Sequence, residues 1–157
     1  MRKFLLLVSF TCFIFGGYLV WQRTAPVHPA KTSSFSISIP SLNLTLPVVP
    51  TSSSTKTTTK GVSYMTSSAV PGNVGNAVFY GHNWPNLLGP INNLKPGAEI
   101  HVSLANGITR KFIITATTIV PASKTDIIHQ TSDTRLTIYT CTGIFDQSRF
   151  VLTARPL

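Results

Sequence analysis

From Phe35 onward the chain alternates. Phe35, Ile37 and Ile39 are apolar against Ser36 and Ser38, and after Pro40 the same period returns with Leu42, Leu44 and Leu46 against Ser41, Asn43 and Thr45. A period of two predicts half-buried strands, here two of them broken at the proline. The turn signals Pro71-Gly72-Asn73 and Gly75-Asn76 lead into Ala77 to Tyr80, a short continuous apolar run that predicts a buried strand ending at Gly81-His82. Glu99 to Leu104, Arg110 to Val120, Thr134 to Cys141 and Arg149 to Ala154 also read as strands, with Ala105-Asn106-Gly107 as the hairpin turn between the first two. Helical turns are confined to Asn86 to Leu94, before the tight turn Lys95-Pro96-Gly97, and to Asp126 to His129. Seven or eight short strands without a long amphipathic helix predict an all-β domain closed, or nearly closed, into a barrel, with a sandwich as the alternative.

The pattern before Phe35 is different in kind. Phe4 to Trp21 is a run of 18 residues without a charge, preceded by Arg2-Lys3 and closed by Gln22-Arg23. Such a run suffices for one membrane-spanning helix, and the leading basic pair puts its N-terminus on the cytoplasmic side. A cleaved signal peptide competes with this signal anchor, but prolines spoil the nearest cleavage sites, at Thr24-Ala25-Pro26 and His28-Pro29-Ala30. A buried core helix is the third reading. The organisation expected is a signal anchor over 1–23, a polar linker over 24–35 with two prolines, and one folded domain over 36–157. In the anchor reading the domain lies outside the cell, on a single-pass membrane protein.

Composition sharpens this in two places. Of the hydrophobic residues, 15 fall in the first 21 positions, so the net charge of +9 belongs to a chain whose folded part is only moderately apolar. Past residue 21 there are 11 basic and 4 acidic residues, scattered singly apart from Arg110-Lys111. No dense cluster suggests a nucleic-acid face; anionic lipid, polyanionic wall polymer or plain solvation accounts for the charge. The second place is cysteine. With Cys12 inside the apolar run, Cys141 stands alone in an oxidising compartment, so an intrachain disulfide is excluded and the thiol is either buried or used. His28, His82, His101 and His129 have no metal-ligand spacing, and Glu99, Asp126, Asp133 and Asp146 are too dispersed for a calcium cage, so neither a metal nor another cofactor is expected.

Cys141 closes one predicted strand and Arg149 opens the next. If the two pair as a hairpin, thiol and guanidinium become neighbours. His82 ends a strand of its own. A cysteine nucleophile works as the thiolate and needs a base or cation nearby, and acyl transfer needs a donor for the oxyanion. His82 and Arg149 are candidates for these roles. A packed cysteine, a loop histidine and a surface arginine are the structural alternative for the same three residues.

Four stretches, in order behind the N-terminal apolar run, resemble the sortases, membrane-anchored cysteine transpeptidases of the bacterial cell surface. Ile37-Ser38-Ile39-Pro40-Ser41-Leu42 is similar to the opening strand, and Pro71 to His82 (PGNVGNAVFYGH) to the segment bearing the family histidine. Asn93 to Ile100 (NLKPGAEI) resembles the turn and strand that follow, and Leu136 to Cys141 (LTIYTC) with Arg149-Phe150-Val151-Leu152 resembles the Thr-Cys signature and the arginine strand. The resemblance implies an eight-stranded sortase barrel with short helical turns. It also implies Cys141 as nucleophile, His82 as acid/base and Arg149 as the group that stabilises the oxyanion, with Arg155 as the rival arginine. The implied activity is that of a cysteine transpeptidase, a thiol protease of the hydrolase class. Its substrates would be surface proteins with a C-terminal sorting motif of the Leu-Pro-any-Thr-Gly (LPXTG) type, and its acceptor an amine such as a peptidoglycan precursor or a pilin lysine. A short chain of this kind is similar to classes D, E or F rather than to the pilin polymerases. Trp84-Pro85-Asn86 after the histidine and the Ser/Thr-rich stretch 51–60 depart from any one class. An L,D-transpeptidase would carry a Ser-x-Gly-Cys type of motif, and Tyr139-Thr140-Cys141-Thr142 is not one. A membrane-anchored β-barrel binding module, including a sortase-like protein without activity, is the reading of another class.

Overall fold

The computed structural model describes the backbone of residues 2–25, 35–52 and 57–157, with side chains from residue 11 onward in those ranges. A helix α1 (Arg2–Thr24) precedes eight strands: β1 (Ser36–Ile39), β2 (Leu44–Thr51), β3 (Val62–Met65), β4 (Gly75–Gly81), β5 (Glu99–Ser103), β6 (Thr109–Pro121), β7 (Thr134–Thr142) and β8 (Ser148–Pro156). They close into a barrel in the order β1-β2-β3-β4-β7-β8-β6-β5, with β5 pairing back onto β1, so the sandwich is excluded. Single 3-10 turns stand at Pro40–Leu42, Gly89–Asn93, Asp126–Ile128 and Ile144–Asp146.

The alternation in the sequence becomes the inside and outside of this barrel. Ile37 and Ile39, Leu46 and Val48, Ile100 and Val102, Phe112 and Ile114 all point into one core, to which every strand contributes. Leu87, Leu88, Ile91 and Leu94, from the segment between β4 and β5, belong to the same core. Burying such side chains stabilises by about 1.5–3 kcal/mol each, which is what holds a short-stranded barrel shut.

β3 is the strand that periodicity does not predict, because all four of its residues are buried and nothing alternates. It runs parallel to β2, with Val48 opposite Val62. Gly61 enters it so close to β2 that a Cβ there would stand 2.1 Å from the Pro47 carbonyl oxygen. A second small cluster, Met65, Val78 and Tyr80 with Ile128 and Tyr139, lies on the outer face of β4 and β7 under the segment joining β6 to β7.

The apolar N-terminal run is helical, as expected, but among the described residues no helix is long and apolar enough to cross a membrane. A transmembrane helix over 1–23 is therefore not part of the described fold: the side chains of residues 2–10, which carry the front half of that run, lie outside the description, and the rest is too short to span alone. Most of the linker expected over 24–35 and part of the Ser/Thr-rich stretch, residues 53–56, also lie outside the described residues.

Candidate active site

Three strand ends meet at one rim. β4 and β7 run parallel with Gly81 opposite Thr140, so the residues that follow, His82 and Cys141, are carried to the same edge of the barrel. The Thr140 hydroxyl is buried and donates to the Gly81 carbonyl at 2.8 Å, which locks the two ends together. β7 and β8 are antiparallel with Cys141 directly opposite Arg149. The thiol therefore stands between histidine on one side and arginine on the other, the juxtaposition that strand pairing alone left conditional. Arg155 is opposite Ile113 near the other end of β8 and binds the Asp133 carboxylate at 3.1 Å, away from the cysteine.

These residues line a cleft of about 520 Å³ whose walls also include Thr57, Lys124, Asp146 and the pair Tyr80 and Tyr139. The two tyrosine rings stack at 5.3 Å between centroids and 9° between planes. Burial, then the neighbouring Tyr80, push the Tyr139 hydroxyl up to about 12, so it stays protonated as a neutral cleft wall. Ile127 and Ile128 face them from the segment 122–133. That segment is tied to β4 through Asn76, whose amide donates to the Ile127 and His129 carbonyls at 3.0 and 3.1 Å and whose side-chain oxygen accepts from Thr137 at 2.7 Å. Gln130 completes the tie by accepting from the Asn76 backbone N–H and donating to the Asn76 carbonyl, each at 3.1 Å.

Cys141 is a free, half-buried thiol. Burial raises its pKa above the ordinary 9.0; the Arg149 guanidinium pulls it back down and Asp146 adds to the rise. His82 is lowered from 6.5, first by burial, then with Asp146 raising and Arg23 lowering it. The two shifts move apart, so at neutral pH the resting pair is thiol and neutral imidazole, and the thiolate–imidazolium pair is a minor form. Arg149 Nη1 donates to the carbonyls of Asp146 at 2.8 Å and Ser148 at 3.0 Å. The connection that supplies those carbonyls is sharply turned: Gly143, Phe145 and Asp146 all have positive φ, at 82°, 54° and 57°. Two successive non-glycine residues in the left-handed region carry a cost of order 1–3 kcal/mol each, a kind of strain that clusters at functional sites.

The other candidates are accounted for. His101 pairs with Glu99 at 2.9 Å outside the cleft, and His129 contributes its backbone carbonyl to the Asn76 tie. His28 lies outside the described residues, and among those described no three of His, Cys, Asp and Glu are grouped to hold a metal. Sequence reasoning missed Thr57, Asp146, Lys124 and the tyrosine pair as cleft residues. Spacing gives no signal for Asp146 or Lys124, which reach the cleft from connections between strands, but the outward parity of Tyr139 with Cys141 on one strand is a signal that was available.

A family model described as the Sortase domain matches residues 37–157, all of the barrel but its first residue. The chain belongs to the sortase family. Solved sortases share its fold: sortase A of Listeria monocytogenes aligns with a TM-score of 0.69 and 26% identity over 81% of this chain and 88% of that one. Sortase A of Corynebacterium diphtheriae, in a lid mutant, gives 0.69 and 25% over 78% of this chain and 69% of that one. The sortase D5 transpeptidase of Clostridium perfringens, at 0.69 and 22% over 78% of each chain, is a likeness of fold alone. Sortases A, C and D all appear among the similar structures, so the fold does not single out a class. No curated protein matches the chain. As a sortase the protein is a cysteine transpeptidase of the all-β barrel type.

Proposed function

We propose that this sortase cleaves a C-terminal sorting motif of the LPXTG type through a Cys141 thioester and passes the acyl group to a cell-surface amine. The observation that carries the reading is the cross-strand pairing of Cys141 with Arg149 at a rim that also ends in His82. In the first half-reaction the Cys141 thiolate attacks the scissile carbonyl carbon. The guanidinium opposite it stabilises the oxyanion, the peptide C–N bond breaks, and the His82 imidazolium gives its proton to the departing amine. In the second half-reaction an acceptor amine, from a peptidoglycan precursor or a pilin lysine, attacks the thioester. His82 takes the proton from that amine and the thiolate leaves.

The substrate is expected to lie in the cleft at the strand ends, with Tyr139 on one wall and the segment 122–133 on the other. Membrane anchoring by residues 1–23, N-terminus inside and barrel outside, is part of the proposal and is supported by the uncharged run Phe4 to Trp21. An anchor in the same membrane as the substrate turns a search in three dimensions into a local one.

The test is cleavage of a quenched sorting-motif peptide library, with an amine acceptor present, by the intact protein and by Cys141→Ala. Thiol-dependent cleavage followed by amine transfer is expected, with activity down roughly 10³-fold or more in the variant. Absence of thiol-dependent turnover on every peptide would leave a binding module instead.

A further inference from the structure

His82 is not free to swing. On one face the indole of Trp84 lies against its imidazole, 4.6 Å between centroids and 14° between planes, a near-parallel stack. At its edge, Nε2 is 2.9 Å from the Thr57 hydroxyl. The loop that carries Trp84 is itself tightly wound. The Trp84 carbonyl accepts from the Leu87 and Gly89 N–H groups at 3.0 and 2.9 Å, and the His82 carbonyl accepts from Leu88 at 3.1 Å. Leu87 and Leu88 are fully buried in the barrel core and anchor the turn. Gly89 is required for it, since a Cβ there would stand 2.7 Å from the Trp84 carbonyl oxygen. Asn92 braces the same turn by donating to the Asn83 side chain at 2.8 Å.

Trp84 is not among the residues that wall the cleft holding Cys141, Arg149 and the tyrosine pair; it meets that cleft through the ring of His82. An offset or parallel aromatic pair fixes a ring plane as well as burying area. We propose that Trp84 is a positioning residue for the catalytic histidine: the wound turn 82–89 presses its indole onto the imidazole and, with Thr57 at Nε2, sets the plane in which His82 delivers and takes its proton. The proposal deepens the transpeptidase reading and rests on it for its kinetic part.

The role requires a flat partner and not merely a large one. Trp84→Phe keeps a stacking face, whereas Trp84→Leu keeps apolar bulk without it. In sorting-peptide assays of the intact protein, Trp84→Leu is expected to lower kcat by roughly 10²-fold with KM unchanged, the scale of a small misplacement of a catalytic group. Trp84→Phe is expected to restore most of the loss. Independently of any activity, a stack at this distance and angle is expected to put the imidazole carbon-bound protons of His82 in the shielding zone of the indole. Their NMR signals are expected to be shifted upfield by the ring current, to be partly shifted in Trp84→Phe and to be unshifted in Trp84→Leu. Equal kcat for the Leu and Phe variants, or unshifted His82 signals in the wild type, would overturn the proposal. A wild type with shifted signals and no turnover on any peptide would refute the transpeptidase reading and leave the stacking assignment standing. If Trp84→Leu does not fold, the wild-type chemical shifts and the Phe variant still decide.

Discussion

β4 with β7 and β5 with β6 are neighbouring strand pairs in one barrel, yet they are built differently. β5 and β6 are antiparallel and alternate, with Phe112 and Ile114 inside while Lys111 faces water. β4 and β7 are parallel, and β4 is buried at every one of its seven positions. Ala77 and Phe79 enter the barrel core, and Val78 and Tyr80 are covered on the outside by the segment 122–133. Parallel strands are ordinarily covered on both faces. Here the covering is a single segment held by Asn76 and Gln130, and the space it leaves at the strand ends is the cleft. The chemistry therefore sits where the sheet needed a second layer, and the alternating half of the barrel serves as its wall.

Four substitutions probe that contrast, taken in order of size. Phe79→Ala on β4 removes a fully buried ring and is expected to cost about 3–5 kcal/mol in denaturant unfolding. Arg149→Ala is expected to lower kcat roughly 10²- to 10³-fold with the fold intact. Its pH–rate profile supplies a second readout. With His82 below 6.5 and Cys141 above 9.0, the wild type gives a broad bell whose acid limb follows His82 and whose alkaline limb follows Cys141. The arginine holds the thiol down, so its loss moves the alkaline limb to higher pH, and an unmoved limb would separate Arg149 from the thiol.

Asn76→Ala leaves the carbonyls of Ile127 and His129 without their donor and is expected to cost roughly 1–3 kcal/mol. It should also raise KM for the sorting peptide and open 122–133 to limited proteolysis, while kcat holds. Thr118→Ala, on the exposed face of β6, is the control and is expected to stay within about 0.5 kcal/mol of wild type. A Thr118→Ala loss as large as that of Asn76→Ala would dissolve the distinction between the two pairs.

The same contrast explains what could be read from the chain. β5 and the first half of β6 were legible because one face of each meets water and the period of two survives over Glu99–Ser103 and Lys111–Ile114. β3 was not, because Val62, Ser63, Tyr64 and Met65 are all enclosed and nothing in them alternates. Cys141 and Arg149 were legible as a conditional pair, since a hairpin brings strand end and strand start together. Joining His82 to them needed the parallel β4–β7 pairing, a long-range contact that periodicity does not encode and that resemblance supplied. Trp84 was visible as an oddity of the sequence, but its stacking on His82 depends on the wound turn 82–89, which no local pattern announces.

Cys141 acquires its two neighbours by different routes. Arg149 comes by a local one, the hairpin of β7 and β8, whereas His82 comes only when β7 also pairs in parallel with β4, a contact across 59 residues of chain. Closing so long a loop costs entropy that a hairpin does not. An incompletely closed barrel therefore presents half a site, a thiol beside a guanidinium with no proton partner, and acyl transfer waits on the last parallel pairing.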